Sequence, residues 1–141
     1  MGTNEVIAKE VGTSSQHVWV DKIVLVVEDI ELNYLYIREL IHPTGVMILR
    51  AENGRIAVEL CKNNPNIDIV LMDLLMPVMN GYEATKQIKS LRPDLPIIAQ
   101  TAYAMADDRR KAMEAGCDDF IAKPIGKEEL LKKVQFFFQN K

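Results

Sequence analysis

From Lys22 onward the chain repeats one pattern: a short apolar run, a polar break, then a stretch whose apolar residues recur every three or four positions. Runs this short have strand length, and the helical stretches between them are long enough to carry the crossover that two parallel strands need. The pattern is that of repeated βα units. Strands are expected at 22–27, 46–51, 67–72, 96–100 and 118–122. The first and third are almost wholly apolar, as strands covered on both faces must be.

The intervening helices can be read from their stripes. Leu32, Leu35, Tyr36, Leu40 and Ile41 form the first, closed by Pro43 and Gly45; Ile56, Ala57, Leu60 and Cys61 form the second, stopped at Asn63-Asn64-Pro65. Residues 82–91 and 107–115 make the third and fourth, and Leu130, Leu131, Val134, Phe137 and Phe138 mark the last. Right-handed crossovers with helices on both faces lead to a doubly wound, flavodoxin-like (βα)5 α/β fold, for which a parallel sheet order of 2-1-3-4-5 is expected. Residues 1–21 show no sustained period and read as a tail or linker, leaving 22–139 as one domain.

The rest of the sequence narrows the function classes. A net charge of −3 gives no general attraction to nucleic acid or to an anionic membrane. The basic run Arg109-Arg110-Lys111 follows Asp107-Asp108 and reads as a solvated helix start. Cys61 and Cys117 lack CxxC spacing and read as buried, reduced thiols. No apolar stretch is long enough to span a membrane, so a cytoplasmic location without membrane contact is expected. Met72, Met76 and Met79 read as core filler, and His17 and His42 as structural or solvent-exposed.

In a doubly wound sheet, ligands bind beyond the carboxyl ends of the strands. Four of those ends carry reactive side chains: Glu28-Asp29, Asp73, Thr101 and Lys123. Three acids gathered on one edge repel one another unless a cation lies among them, and an all-oxygen set suits Mg2+ (or Mn2+). A carboxylate beside such an ion can attack phosphorus and become an acyl phosphate. The Lys123 ammonium and Thr101 hydroxyl can then receive the phosphoryl oxygens.

The strings Val26-Val27-Glu28-Asp29, Leu71-Met72-Asp73-Leu74-Leu75-Met76-Pro77 with Asn80-Gly81, Gln100-Thr101-Ala102 and Phe120-Ile121-Ala122-Lys123-Pro124 resemble the response-regulator receiver domain of two-component systems. The resemblance covers residues 22–138. It implies that Asp73 accepts a phosphoryl group from a histidine kinase or histidine phosphotransfer domain. It also implies that Asp29 and Asp73 ligate Mg2+ directly, that Glu28 does so through water, and that the Leu75 backbone carbonyl is a further ligand. Lys123-Pro124 is expected to be cis. Thr101 and Phe120 match a switch pair that remodels the fourth helix, fifth strand and fifth helix, with phosphorylation-dependent dimerisation as a further expectation.

Departures and alternatives accompany the resemblance. Phe120 stands where many receivers have tyrosine, so no phenol hydrogen bond can report its position. Leu75 and Tyr103 lie where side chains control a hydrolytic water, and their bulk implies slow loss of the phosphoryl group. Such a chain is a signalling receiver that promotes its own phosphorylation, not a turnover enzyme. The wording at 101–105 and 116–119 is similar to receivers of hybrid sensor kinases, so the chain reads as a stand-alone regulator or as a piece of such a kinase. A flavin carrier would need a phosphate-cradling loop where Glu28-Asp29-Ile30-Glu31 stands, and an aspartyl-phosphate hydrolase would need an acid at Leu75. A phosphorylation-independent interaction module of the same fold is the remaining alternative.

Overall fold

The computed structural model describes residues 17–76, 78–102 and 106–140. Within them, strands β1 (Ile23–Val27), β2 (Met47–Ala51), β3 (Ile69–Asp73), β4 (Ile97–Thr101) and β5 (Asp119–Ala122) alternate with helices α1 (Glu31–Ile41), α2 (Gly54–Asn63), α3 (Gly81–Leu91), α4 (Ala106–Ala115) and α5 (Lys127–Gln139). The sheet is parallel throughout in the order β2-β1-β3-β4-β5, the order expected of the flavodoxin-like class. Val27 is level with both Ala51 and Met72, and Asp73 with Gln100, so the carboxyl ends finish nearly flush. The element bounds differ from the sequence expectation by one or two residues, and β3 carries Asp73 as its last residue.

Alternate residues of the strands feed two cores. Leu25, Val27, Val70, Met72, Ile97 and Ala99 face α2, α3 and α4; Val24, Val26, Ile69, Leu71, Ile98 and Ile121 face α1 and α5. Asn53 and Asn80 start α2 and α3 by accepting the amides of Ile56 (2.9 Å) and Glu83 (3.0 Å), which otherwise lack helical partners. After α1 a 3-10 turn, His42–Thr44, carries Pro43, and Gly45 at φ 80° lets the chain reverse into β2.

Two expectations need correction. Only part of the α1 stripe faces the core: Ile41 is buried with Ile37, and Leu40 packs at their flank with Tyr34, but Leu32, Leu35 and Tyr36 are exposed. The helix has apolar residues on two faces, and spacing alone cannot choose between them. In addition, residues within the expected tail belong to the packed body. Trp19 is only 2% exposed. Its indole N–H donates to Gln135 Oε1 on α5 (2.6 Å), its amide donates to Thr44 O (2.8 Å), and its ring meets Phe138 edge to face.

Met72 is buried, and Met76 and Met79 pack against the first core. Both cysteines are free and buried, and burial pushes each thiol up to about 11, where a reactive thiolate is scarce at neutral pH. Among the described residues no helix is long and apolar enough to cross a membrane.

Candidate functional site

The flush strand ends bring Glu28, Asp29 and Asp73 together across β1 and β3, with one carboxylate oxygen from each within 4.8 Å of the others. Glu28 is fully buried and Asp73 is 5% exposed. From the end of β5, Lys123 Nζ reaches Glu28 Oε1 at 3.2 Å and Asp73 Oδ1 at 3.5 Å. One ammonium thus answers two of three carboxylates. Burial, and then the neighbouring Asp73, raises the Glu28 carboxyl above its ordinary value, while the Ile30 amide (3.2 Å) and Lys123 pull the other way. An all-oxygen donor set this close, with a charge shortfall around a buried acid, fits a hard divalent cation.

The backbone around Asp73 is set by its neighbours. The Leu75 amide donates to Asp73 Oδ1 (3.3 Å) and Leu74 N to Gln100 O (3.3 Å), pinning the chain as it leaves β3. Gly81 then returns to the same place: its amide donates to Leu74 O (3.0 Å), and a Cβ there would lie 2.2 Å from the Asp73 carbonyl oxygen. No larger residue fits without moving backbone. Within this loop Val78 adopts φ 70°, a left-handed conformation costly for a β-branched residue.

Of the remaining expected residues, Thr101 and Leu75 also lie at this edge. Thr101 ends β4, and its carbonyl accepts the Lys123 amide (2.7 Å), tying β4 to the lysine. Lys123-Pro124 is cis. Leu75 is 70% exposed beside Asp73. Phe120 lies in β5, half-buried against the first core. Tyr103 is outside the described residues, as is Pro77.

Sequence reasoning missed three features here. Arg50, one residue before the end of β2, donates to Glu28 O (3.2 Å) and Asp29 O (3.4 Å) and lies over the Tyr34 ring, so it fastens the acidic turn. A cleft of about 230 Å3 opens between α1 and the loop after β5, lined by Tyr36, Lys123, Pro124 and Ile125. Buried Gln100 also lines it, and its side-chain amide has no hydrogen-bond partner among the described residues. Finally, Ile30, Leu32, Leu35, Tyr36, Leu75 and Val78 leave large apolar side chains exposed on α1 and the two loops that carry the acids. Only the α1 stripe was visible in sequence, where it was taken for core.

Comparison with known proteins agrees with this geometry. Residues 24–135 match the family model for the response regulator receiver domain. The chain is 36% identical over 119 residues to the polar-differentiation response regulator DivK of Brucella anthropi, covering 82% of this chain and 95% of DivK. It also spans 12% of the length of the sensor histidine kinase GacS of Pseudomonas protegens and 31% of a cyclic di-GMP phosphodiesterase of Thermotoga maritima, at 36% identity to each. Among solved structures, the receiver domain of a Pseudomonas aeruginosa sensor histidine kinase, with magnesium in its active-site cleft, superposes with a TM-score of 0.77 at 33% identity, covering 82% of this chain and 96% of that one. A Saccharomyces cerevisiae receiver domain in complex with a histidine phosphotransfer protein gives 0.77 at 31% identity, covering 83% and 88%.

Proposed function

The chain belongs to the response regulator receiver domain family of two-component signalling, and on that premise we propose that it accepts a phosphoryl group from a phosphohistidine onto Asp73. The observation that carries this reading is the meeting of Asp73 with Glu28, Asp29 and Lys123 at one edge of the sheet. Glu28, Asp29 and Asp73 would hold Mg2+, with the Leu75 carbonyl as a further ligand, and the ion would supply positive charge beside the transferring phosphoryl oxygens.

The chain's own groups account for the remaining chemistry. An Asp73 oxygen attacks phosphorus as the phosphorus–nitrogen bond of the donor breaks; the bond pair goes to the imidazole, and an aspartyl phosphate remains. Lys123 Nζ, already 3.5 Å from Asp73 Oδ1, moves its charge toward the new phosphoryl oxygens, and Thr101 donates its hydroxyl to another. The pull on Thr101 and an inward move of Phe120 would then alter the α4-β5-α5 face. The exposed apolar collar of Ile30, Leu32, Leu35, Tyr36, Leu75 and Val78 suits a docking surface for the histidine-bearing donor. Exposed, bulky Leu75, with Tyr103, would shield the phosphoryl group from water and slow its loss.

Incubation with a small phosphoryl donor and Mg2+, followed by intact-mass measurement, tests the reading. The wild-type chain should gain one phosphoryl group, Asp73→Asn none, and Lys123→Ala much less. Equal labelling of wild type and Asp73→Asn contradicts the assignment.

A further inference from the structure

The run Arg109-Arg110-Lys111 reads in sequence as a solvated face, and two of its three residues are that. Arg110 pairs with Asp107 (2.7 Å) and Glu114 (2.8 Å), and Lys111 with Asp107 (3.6 Å). Arg109 has no carboxylate within salt-bridge distance among the described residues. Its guanidinium lies over the Phe120 ring instead, 4.3 Å from the ring centre.

A second cation approaches the same ring from the other neighbouring helix. Lys133 Nζ of α5 is 5.9 Å from the ring centre and is anchored at 3.1 Å from both oxygens of Asp119, whose Oδ1 also accepts the Phe120 amide (2.8 Å). α4, the edge strand β5 and α5 are thereby joined through one aromatic ring. Aromatic faces attract guanidinium and ammonium groups through their quadrupole. Phenylalanine has no hydroxyl with which its position could be fixed, so the ring face is its available polar handle.

The register shows where the ring could go. Phe120 pairs with Ala99, and Thr101 is two residues further along the same strand, so both point to the same side of the sheet. Ala99 places only a methyl group between them. An inward move toward space vacated by Thr101 would take the ring face away from Arg109.

We propose that Arg109 and Lys133 are positioning residues that clasp the Phe120 ring in its unphosphorylated place and thereby set how far the α4-β5-α5 face is biased before phosphorylation. This rests on the receiver function proposed above. Releasing the clasp lowers the cost of the inward state. Because coupling between sites is reciprocal, the same release tightens binding of a phosphoryl mimic at Asp73. An exposed cation–π contact corresponds to a change of about two- to fivefold.

The test uses carbon-13-labelled phenylalanine in the full chain, with the Phe120 ring signals followed during titration with beryllofluoride in Mg2+. Arg109→Gln should move the free-state Phe120 signals toward the beryllofluoride-bound position and tighten apparent affinity by about two- to fivefold. Arg109→Lys, which keeps a cation for the ring, should lie between. Arg110→Gln, which removes exposed ion pairs on the same helix without touching Phe120, should behave as wild type. The clasp is overturned if Arg109→Gln leaves signals and affinity unchanged or weakens affinity, or if Arg110→Gln has the same effect. A wild-type chain whose Phe120 signals ignore saturating beryllofluoride overturns the switch itself, a separate outcome from a responsive switch indifferent to Arg109.

Discussion

Glu28 is fully buried, answered by one ammonium that it shares with Asp73, and its carboxyl is raised above the ordinary 4.5 chiefly by burial and then by Asp73. A raised folded value favours the protonated form, so its contribution to stability is present below the unfolded value and is lost as pH rises through the folded one. A divalent cation among the acids offsets that loss. Thermal melts in Mg2+ and in EDTA should therefore diverge more at about pH 7.5 than at about pH 5. A metal effect independent of pH would contradict this account. Gly81 gives a second residue-scale test, because a Cβ there meets the Asp73 carbonyl oxygen at 2.2 Å and the Leu74 Cα at 2.6 Å. Gly81→Ala should cost roughly 2–4 kcal/mol in a denaturant titration and lower the yield of phosphorylated Asp73.

At the scale of elements, the approach to β1 and the outer face of α1 behave unlike their sequence patterns. Trp19 closes the core between α1 and α5 through its ring contact with Phe138 and its bond to Gln135. Trp19→Ala should cost about 3–5 kcal/mol, the range for a large aromatic removed from a core. A chain beginning at Lys22 should show a comparable loss against one beginning at His17, and equal denaturation midpoints would show that residues 17–21 are dispensable. On α1, Leu32 and Leu35 are exposed, so Leu32→Lys and Leu35→Lys should change stability by no more than about 0.5 kcal/mol. If this face receives the donor protein, the same variants should slow phosphotransfer from a phosphohistidine domain while leaving labelling by a small donor intact.

For the molecule as a whole, the parallel sheet turns five sequence-distant strand ends into one edge. Residues as far apart as Glu28 and Lys123 come within 3.2 Å because β1 and β5 both run toward that edge. A cation that binds only this assembled edge stabilises the entire fold by mass action, about 2.7 kcal/mol at a hundredfold excess over Kd. Urea titrations at rising Mg2+ should show that increase in the wild type and a smaller one in Asp29→Asn, whose donor set is weakened.

The alternation of apolar runs with helical stripes determined the α/β class and strand number, since strands buried on both faces leave little else possible. It also put Glu28, Asp29, Asp73, Thr101 and Lys123 at strand ends, because each polar residue interrupts or follows an apolar run. Pairing across the fold was beyond it. Whether α1 buries Leu35 or Ile37 depends on which of two apolar faces meets β1 and β3, and Trp19 finds Gln135 and Phe138 more than a hundred residues away. Arg109 carries the same lesson, since local sequence marks it as solvated and only the tertiary structure supplies the ring that receives it, just as only the tertiary structure supplies the carbonyls that receive Arg50.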